Sequence, residues 1–266
     1  MIIDEIQRVP ALSSYIQAVA DEEQRNGRFV LTGSHQPHVR VAVTQSLASR
    51  VALLHLLPLS IRELHAALFE KFIKLLAGRC GPILEVGSLA ADTGVDAKTA
   101  RKWLAVMEAS FVIFQLPSCH ENFGKRVIKA PKNYFTEVGL LCFVLGLREA
   151  AQVARDPLVG QIFENLVVME CLKARYNRGE MPDLHFFRDS NRQEVDLVSP
   201  VDGELLAAEI KAASTFNTSL LAGLRRFRDL ATGKKCRPFL TYNGQPLTTS
   251  DGTTALNFAD FAELFD

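Results

Sequence analysis

The sequence predicts an α/β chain in three successive parts, and three observations carry that reading. Short apolar strands alternate with helical segments through the first third. A pair of helices separated by a glycine turn, with basic residues behind them, fills the middle. A long apolar helix then leads into consecutive strands with a hairpin signal between them.

The bulk properties set limits. A chain of 266 residues is long enough for two domains and a sizeable core. Its 30 basic and 30 acidic side chains cancel, so attraction to nucleic acid needs a local patch rather than a whole-chain field. The cysteines, Cys80, Cys119, Cys142, Cys171 and Cys236, are scattered and form no C-x-x-C pair, which argues against a disulfide framework or a zinc site and for a reducing cytoplasm. The first residues do not read as an export signal, because acidic side chains follow the two isoleucines at once. The strongest apolar runs, "VALLHLLPL" and "GLLCFVLGL", fall well short of the ~20 residues of a membrane helix. A cytoplasmic protein without a membrane segment is expected.

In the first part, "MIIDEIQRVP" places an apolar strand directly before Asp4 and Glu5. In phosphate-transferring ATPases such a strand end carries an Asp that organises Mg²⁺ and a Glu that polarises water, and it works only beside a phosphate-cradling loop. That loop has the spacing G-x-x-x-x-G-K-[ST]; the Gly-Lys pairs here, Gly124-Lys125 and Gly233-Lys234, are followed by Arg126 and Lys235 and do not fit it. A helix "ALSSYIQAVADEEQ" stopped by Asn26-Gly27, a strand "RFVLTGS" and a strand "VALLHLLPLS" complete parallel-sheet material. Ser34 ends its strand where open α/β sheets bind ligands, a position suited to sensing a γ-phosphate.

In the middle part, "GSLAADTGVDAKTARKWLAVMEASFVIFQLP" reads as a short helix, a turn at Thr93-Gly94, a longer helix from near Asp96, and a strand, which is helix-turn-helix spacing. Lys98, Arg101 and Lys102 project from the second helix. The segment "ENFGKRVIKAPKNYF" adds Lys125, Arg126, Lys129 and Lys132 as a wing. Seven basic residues stand against Glu108 and Glu121 here, a local excess of five that would attract a phosphate backbone. The equal alternative is a packing module whose charges are simply solvated.

The last part opens with "RDPLVGQIFENLVVMECLKARYNRG", a helix with Asp156 as N-cap, Pro157 in the first turn and Gly179 past the end. Its apolar residues face nearly every direction, so it should be buried, yet it carries Glu164 and Glu170; at least one of them should meet a cation, a metal or the surface. The segments "LHFFRDS", "QEVDLVSP" and "ELLAAEIKAAS" follow as strands, with Asp202-Gly203 turning the hairpin. Strand alternation points Glu209 and Lys211 the same way, and the hairpin brings Asp196 alongside. Two carboxylates suit Mg²⁺, and a lysine beside them can orient an attacking water, as in phosphodiester cleavage. The ordinary reading of Glu209 and Lys211 is a solvated charge pair on an exposed face.

With these residues in view, the sequence resembles prokaryotic AAA-family ATPases whose C-terminal region, a domain of unknown function, combines a winged helix with a PD-(D/E)xK, restriction-endonuclease-like fold. The resemblance rests on "IIDEIQRVP", "FVLTGS", "SLASRVALLHLLPLSIREL", "KRVIKAPKNYFTEVGLL", "GQIFENLVVMEC" and "FFRDSNRQEVDLV" with "AAEIKAAST". It implies a partial P-loop ATPase sheet over residues 1–65, a winged-helix region over 66–155 and a nuclease-like domain over 156–266. It implies Asp4 and Glu5 as Walker B residues, Ser34 as sensor and Arg50 as a phosphate-facing arginine, together a vestigial ATP site. It also implies Glu164, Asp196 and Glu209 as metal ligands, with Lys211 completing a nuclease-like site for Mg²⁺.

The sequence departs from that pattern. No P-loop or lid segment is found, and Ser49 stands where the family has Gly, so it looks like a member shortened twice; ATP binding is expected of the family and not here. The expected function is an ATPase-related, DNA-associated protein with a Mg²⁺-dependent nuclease-like C-terminal domain, and Lys98, Arg101, Lys102, Lys125 and Arg126 as the nucleic-acid contacts. The alternatives are a non-catalytic scaffold, or a piece of a full-length ATP-binding AAA ATPase. Sheet edges left open by the missing strand would invite a second copy or an ATPase partner.

Overall fold

The computed structural model describes residues 2–3, 12–23, 29–31, 66–119, 130–191, 193–201, 203–231 and 235–265. The chain divides into two compact units, Met1–Leu57 and Pro58–Asp266. In the first, strand β1 (Ile2–Ile3) pairs in parallel with β2 (Val30–Leu31), and helix α1 (Leu12–Glu23) connects them. A parallel pair needs such a crossover, because a tight turn cannot return the chain in the same direction. Asp4, Glu5, Ser34 and Arg50 lie outside the described residues, and so do Lys125 and Arg126.

The second unit begins with three helices, α2 (Ala66–Ala77), α3 (Val86–Thr93) and α4 (Ala97–Ala109). Gly94 closes α3 in the left-handed region at φ 91°, a conformation open to glycine at no steric cost. Asp96 then caps α4, its side chain accepting the Thr99 N–H at 2.9 Å. Phe72 and Trp103, edge to face at 5.1 Å, lock α2 against α4. Strands β3 (Ile113–Leu116) and β4 (Lys132–Phe135) pair antiparallel behind them.

Short helices α5 (Val138–Val144) and α6 (Ala150–Val153) lead to α7 (Val159–Asn177). The helix starts two residues later than the sequence predicts: Asp156 uses its carboxylate to accept the Leu158 N–H at 2.8 Å, so Pro157 stays in the preceding turn. Eight α7 residues are buried, among them Val167, Val168 and Leu172.

A six-stranded mixed sheet follows, in the order β5-β6-β7-β8-β10-β9. Its strands are β5 (His185–Arg188), β6 (Glu194–Val201), β7 (Glu204–Lys211), β8 (Cys236–Tyr242), β9 (Leu247–Thr248) and β10 (Thr254–Asn257). Helix α8 (Ala222–Leu230) packs Leu224 and Phe227 with Val195, Leu205 and Leu240 in one core. The larger core runs from Phe72 and Trp103 through Val168 and Leu172 to Leu206, Ile210 and Phe261. It crosses the boundary expected at residue 155 without interruption, and Ser118 bridges to Phe186, joining the chain after β3 to strand β5. Among the described residues no helix is long and apolar enough to cross a membrane.

Candidate carboxylate and lysine site

The β6–β7 hairpin builds the first half of the site. Leu197 pairs with Ala208 and Val198 with Ala207, and continuing that register by one step sets Asp196 opposite Glu209. The backbone N–H of Ile210 donates to Asp196 Oδ2 at 2.9 Å. Lys211 Nζ reaches Asp196 Oδ2 at 2.9 Å and Glu209 Oε2 at 2.5 Å. The structure therefore brings Asp196, Glu209 and Lys211 together. It also corrects the ordinary reading of Glu209 and Lys211 as a solvated pair: Glu209 is only 6% exposed, while Lys211 is partly exposed. Helix α8 closes over them: a Cβ on Gly223 would collide with Glu209 Oε1 and lie 2.9 Å from the Glu194 carbonyl oxygen. Only a residue without a side chain lets this helix come so near.

The second half comes from α7 and β4. Asn165 on α7 grips the backbone of Phe135 and also accepts from the Cys80 thiol at 3.0 Å. With β4 fixed in this way, Lys132 and Tyr134 share the face that turns toward Glu164, the residue preceding Asn165. Tyr134 donates to Glu164 Oε1 at 2.6 Å. Lys132 Nζ lies 2.8 Å from Glu164 Oε1, 2.6 Å from Glu194 Oε1 and 3.7 Å from Asp196 Oδ1. Arg188 adds a guanidinium 3.2 Å from the other oxygen of Glu194. Lys132 is 2% exposed. Its expected place among the outward cations of a basic wing is thus overturned, because the surrounding carboxylates and the clamp on β4 turn its side chain inward.

Of the two acidic residues on the long helix, Glu164 meets a cation inside and Glu170 stays on the surface, 3.2 Å from Lys173. Sequence reasoning missed Lys132, Tyr134, Glu194 and Arg188 as members of the site. Glu194 carried a readable signal, since it lies two residues before Asp196 on the same strand. Lys132 carried none, because the charges that bury it are remote in sequence.

The electrostatics follow from the geometry. Burial works against the Lys132 ammonium, but Glu164, Asp196 and Glu194 outweigh it and hold the lysine charged well above its ordinary range. Lys211 behaves alike, with burial opposed by Asp196 and Glu209. Burial would raise the Asp196 carboxyl, yet Lys132 and Lys211 prevail and lower it. Glu164 is raised by burial, against the pull of Lys132, and Tyr134 is raised by burial and by Glu164 beside it. Glu209 is pushed up to about 8 by burial and then by the charge of Asp196. Both causes favour its protonated form beside Asp196. Around it Glu164, Glu194 and Asp196 lie against the basic side chains Lys132, Arg188 and Lys211.

Whether Mg²⁺ fits depends on these donors. An ion at Asp196, Glu209 and Glu164 needs oxygens turned toward a common centre, but each of these carboxyls already serves an ammonium group. Among the described residues no three His, Cys, Asp or Glu side chains are arranged to hold a metal ion. As arranged, the site does not fit a divalent cation.

The basic residues of α4 lie elsewhere. Lys98, Arg101 and Lys102 are exposed, while Ala100, Trp103, Leu104 and Met107 of the same helix are buried.

Comparison with known proteins finds three family profiles along the chain. Residues 1–65 match an AAA domain profile, residues 59–151 a domain of unknown function, DUF8612, and residues 159–261 a second one, DUF4143. Its first 65 residues are thus similar to an AAA domain. Two uncharacterized relatives, Mb2031c of Mycobacterium bovis and Rv2008c of Mycobacterium tuberculosis, are each 26% identical over 262 residues, covering 80% of this chain and 58% of theirs. The chain thus spans little more than half the length of these relatives. A crystal structure of protein VC1899 from Vibrio cholerae aligns with 96% of this chain and 78% of its own at 15% identity, with a TM-score of 0.29, too slight a likeness to carry a structural argument.

Proposed function

We propose that this AAA-ATPase-related protein docks on the backbone of duplex DNA through the outer face of α4, and that its nuclease-like C-terminal domain holds position without cutting. One observation carries the reading. Lys98, Arg101 and Lys102 stand exposed on the second helix of a helix–turn–helix pair, with no ion-pair partner among the described residues, while the opposite face of that helix is packed into the core. An unneutralised row of cations on a firmly seated helix is an electrostatic footprint for phosphate. The β3–β4 pair behind the helix supports a winged-helix reading of this segment. Cleavage is left out because the carboxyls that would hold a catalytic ion are already engaged by Lys132 and Lys211.

The test mixes a fluorescently labelled duplex with the protein in Mg²⁺ and follows anisotropy and strand integrity in one sample. Binding with intact strands is expected. Cut strands would instead support metal-dependent phosphodiester cleavage at Asp196, Glu209 and Lys211, and absence of binding at low salt would leave α4 as a packing element.

A further inference from the structure

We infer that Lys132 is the resident cation of the carboxylate cluster: its ammonium, delivered by β4, supplies the neutralising charge and fastens the 59–151 segment to the C-terminal sheet. The inference is independent of DNA docking. Two carboxylates lie within hydrogen-bond reach of this ammonium, Glu164 at 2.8 Å and Glu194 at 2.6 Å, and Asp196 adds an ion pair at 3.7 Å. Its flank is dry, with the Phe186 ring centroid 5.5 Å from Nζ. Two further contacts fix the same strand, Tyr134 to Glu164 at 2.6 Å and Asn165 to the Phe135 backbone. Lys132 is therefore held in register rather than resting against the cluster.

Two consequences separate this role from that of an incidental ion pair. A divalent ion would have to displace an ammonium whose strand is clamped, so the fold should be indifferent to metal. Removing the ammonium should leave buried Glu164 without its cation and Glu194 and Asp196 with only Arg188 and Lys211, a larger loss than the pair alone would give. That loss should depend on Glu164.

The experiment measures Tm for the wild type, Lys132→Met, Glu164→Gln and Lys132→Met/Glu164→Gln, each in EDTA and in millimolar Mn²⁺. The wild type should melt at the same temperature in both. Lys132→Met should lose on the order of 10 °C, and adding Glu164→Gln should recover part of that loss. If Lys132→Met does not accumulate folded while the double variant does, the same dependence is shown. A wild-type Tm raised several degrees by Mn²⁺, or a double variant no more stable than Lys132→Met, would overturn the inference.

Discussion

Asn165 holds Phe135 by both of its backbone polar groups: its Oδ1 accepts the Phe135 N–H at 2.8 Å and its Nδ2 donates to the Phe135 carbonyl at 2.8 Å. One buried amide on a helix thus takes the place of a neighbouring strand. Replacing it by Ala strands two buried main-chain groups, each at about 1–3 kcal/mol, and frees the strand that carries Lys132. Asn165→Ala should lower stability by roughly 2–6 kcal/mol. Urea denaturation checks this, and a change below about 0.5 kcal/mol would show that β4 is seated by other contacts.

Glu209 should make stability fall with pH across a defined window. Its carboxyl is raised from an ordinary 4.5 to about 8 in the fold. Between those values the unfolded chain has released this proton and the folded chain keeps it, so unfolding releases a proton and stability drops as pH rises. Below the window both states are protonated and the contribution is fully present. The local slope approaches about 1.4 kcal/mol per pH unit. Tm measured from pH 5 to 9 should therefore fall more steeply for the wild type than for Glu209→Gln, whose amide cannot ionise. Parallel curves would refute the raised carboxyl.

Much of this molecule was legible from local pattern. The Thr93-Gly94 turn, the Asp96 cap and the hairpin that pairs Val201 with Glu204 each depend on residues a few positions apart, and each stands where the sequence places it. Asp196, Glu209 and Lys211 were readable for the same reason, because a two-residue turn fixes a hairpin's register. Lys132 was not. Its burial is decided by Glu164, thirty-two residues on, and by Glu194 and Asp196 further still, so its local sequence shows only one more basic residue among several. The same non-locality hid the ion pair that Glu164 makes with Lys132.

The sequence contains no G-x-x-x-x-G-K-[ST] loop, although residues 1–65 match an AAA domain. An acidic strand end supplies metal contacts but no backbone N–H groups around phosphate. Calorimetric titration of this chain with Mg·ATP should give no measurable heat of binding. Micromolar affinity would mean that another segment cradles the phosphates.

The salt dependence of duplex binding tests the central claim most directly. Each lysine or arginine on a phosphate releases counterions and adds about −0.9 to the slope of log K against log salt. Arg101→Ala/Lys102→Ala, which removes two of the three exposed α4 cations, should weaken binding to unrelated duplexes alike and make the slope shallower by about 2. An unchanged affinity and slope in that variant, measured by anisotropy between about 50 and 200 mM salt, would contradict docking through α4.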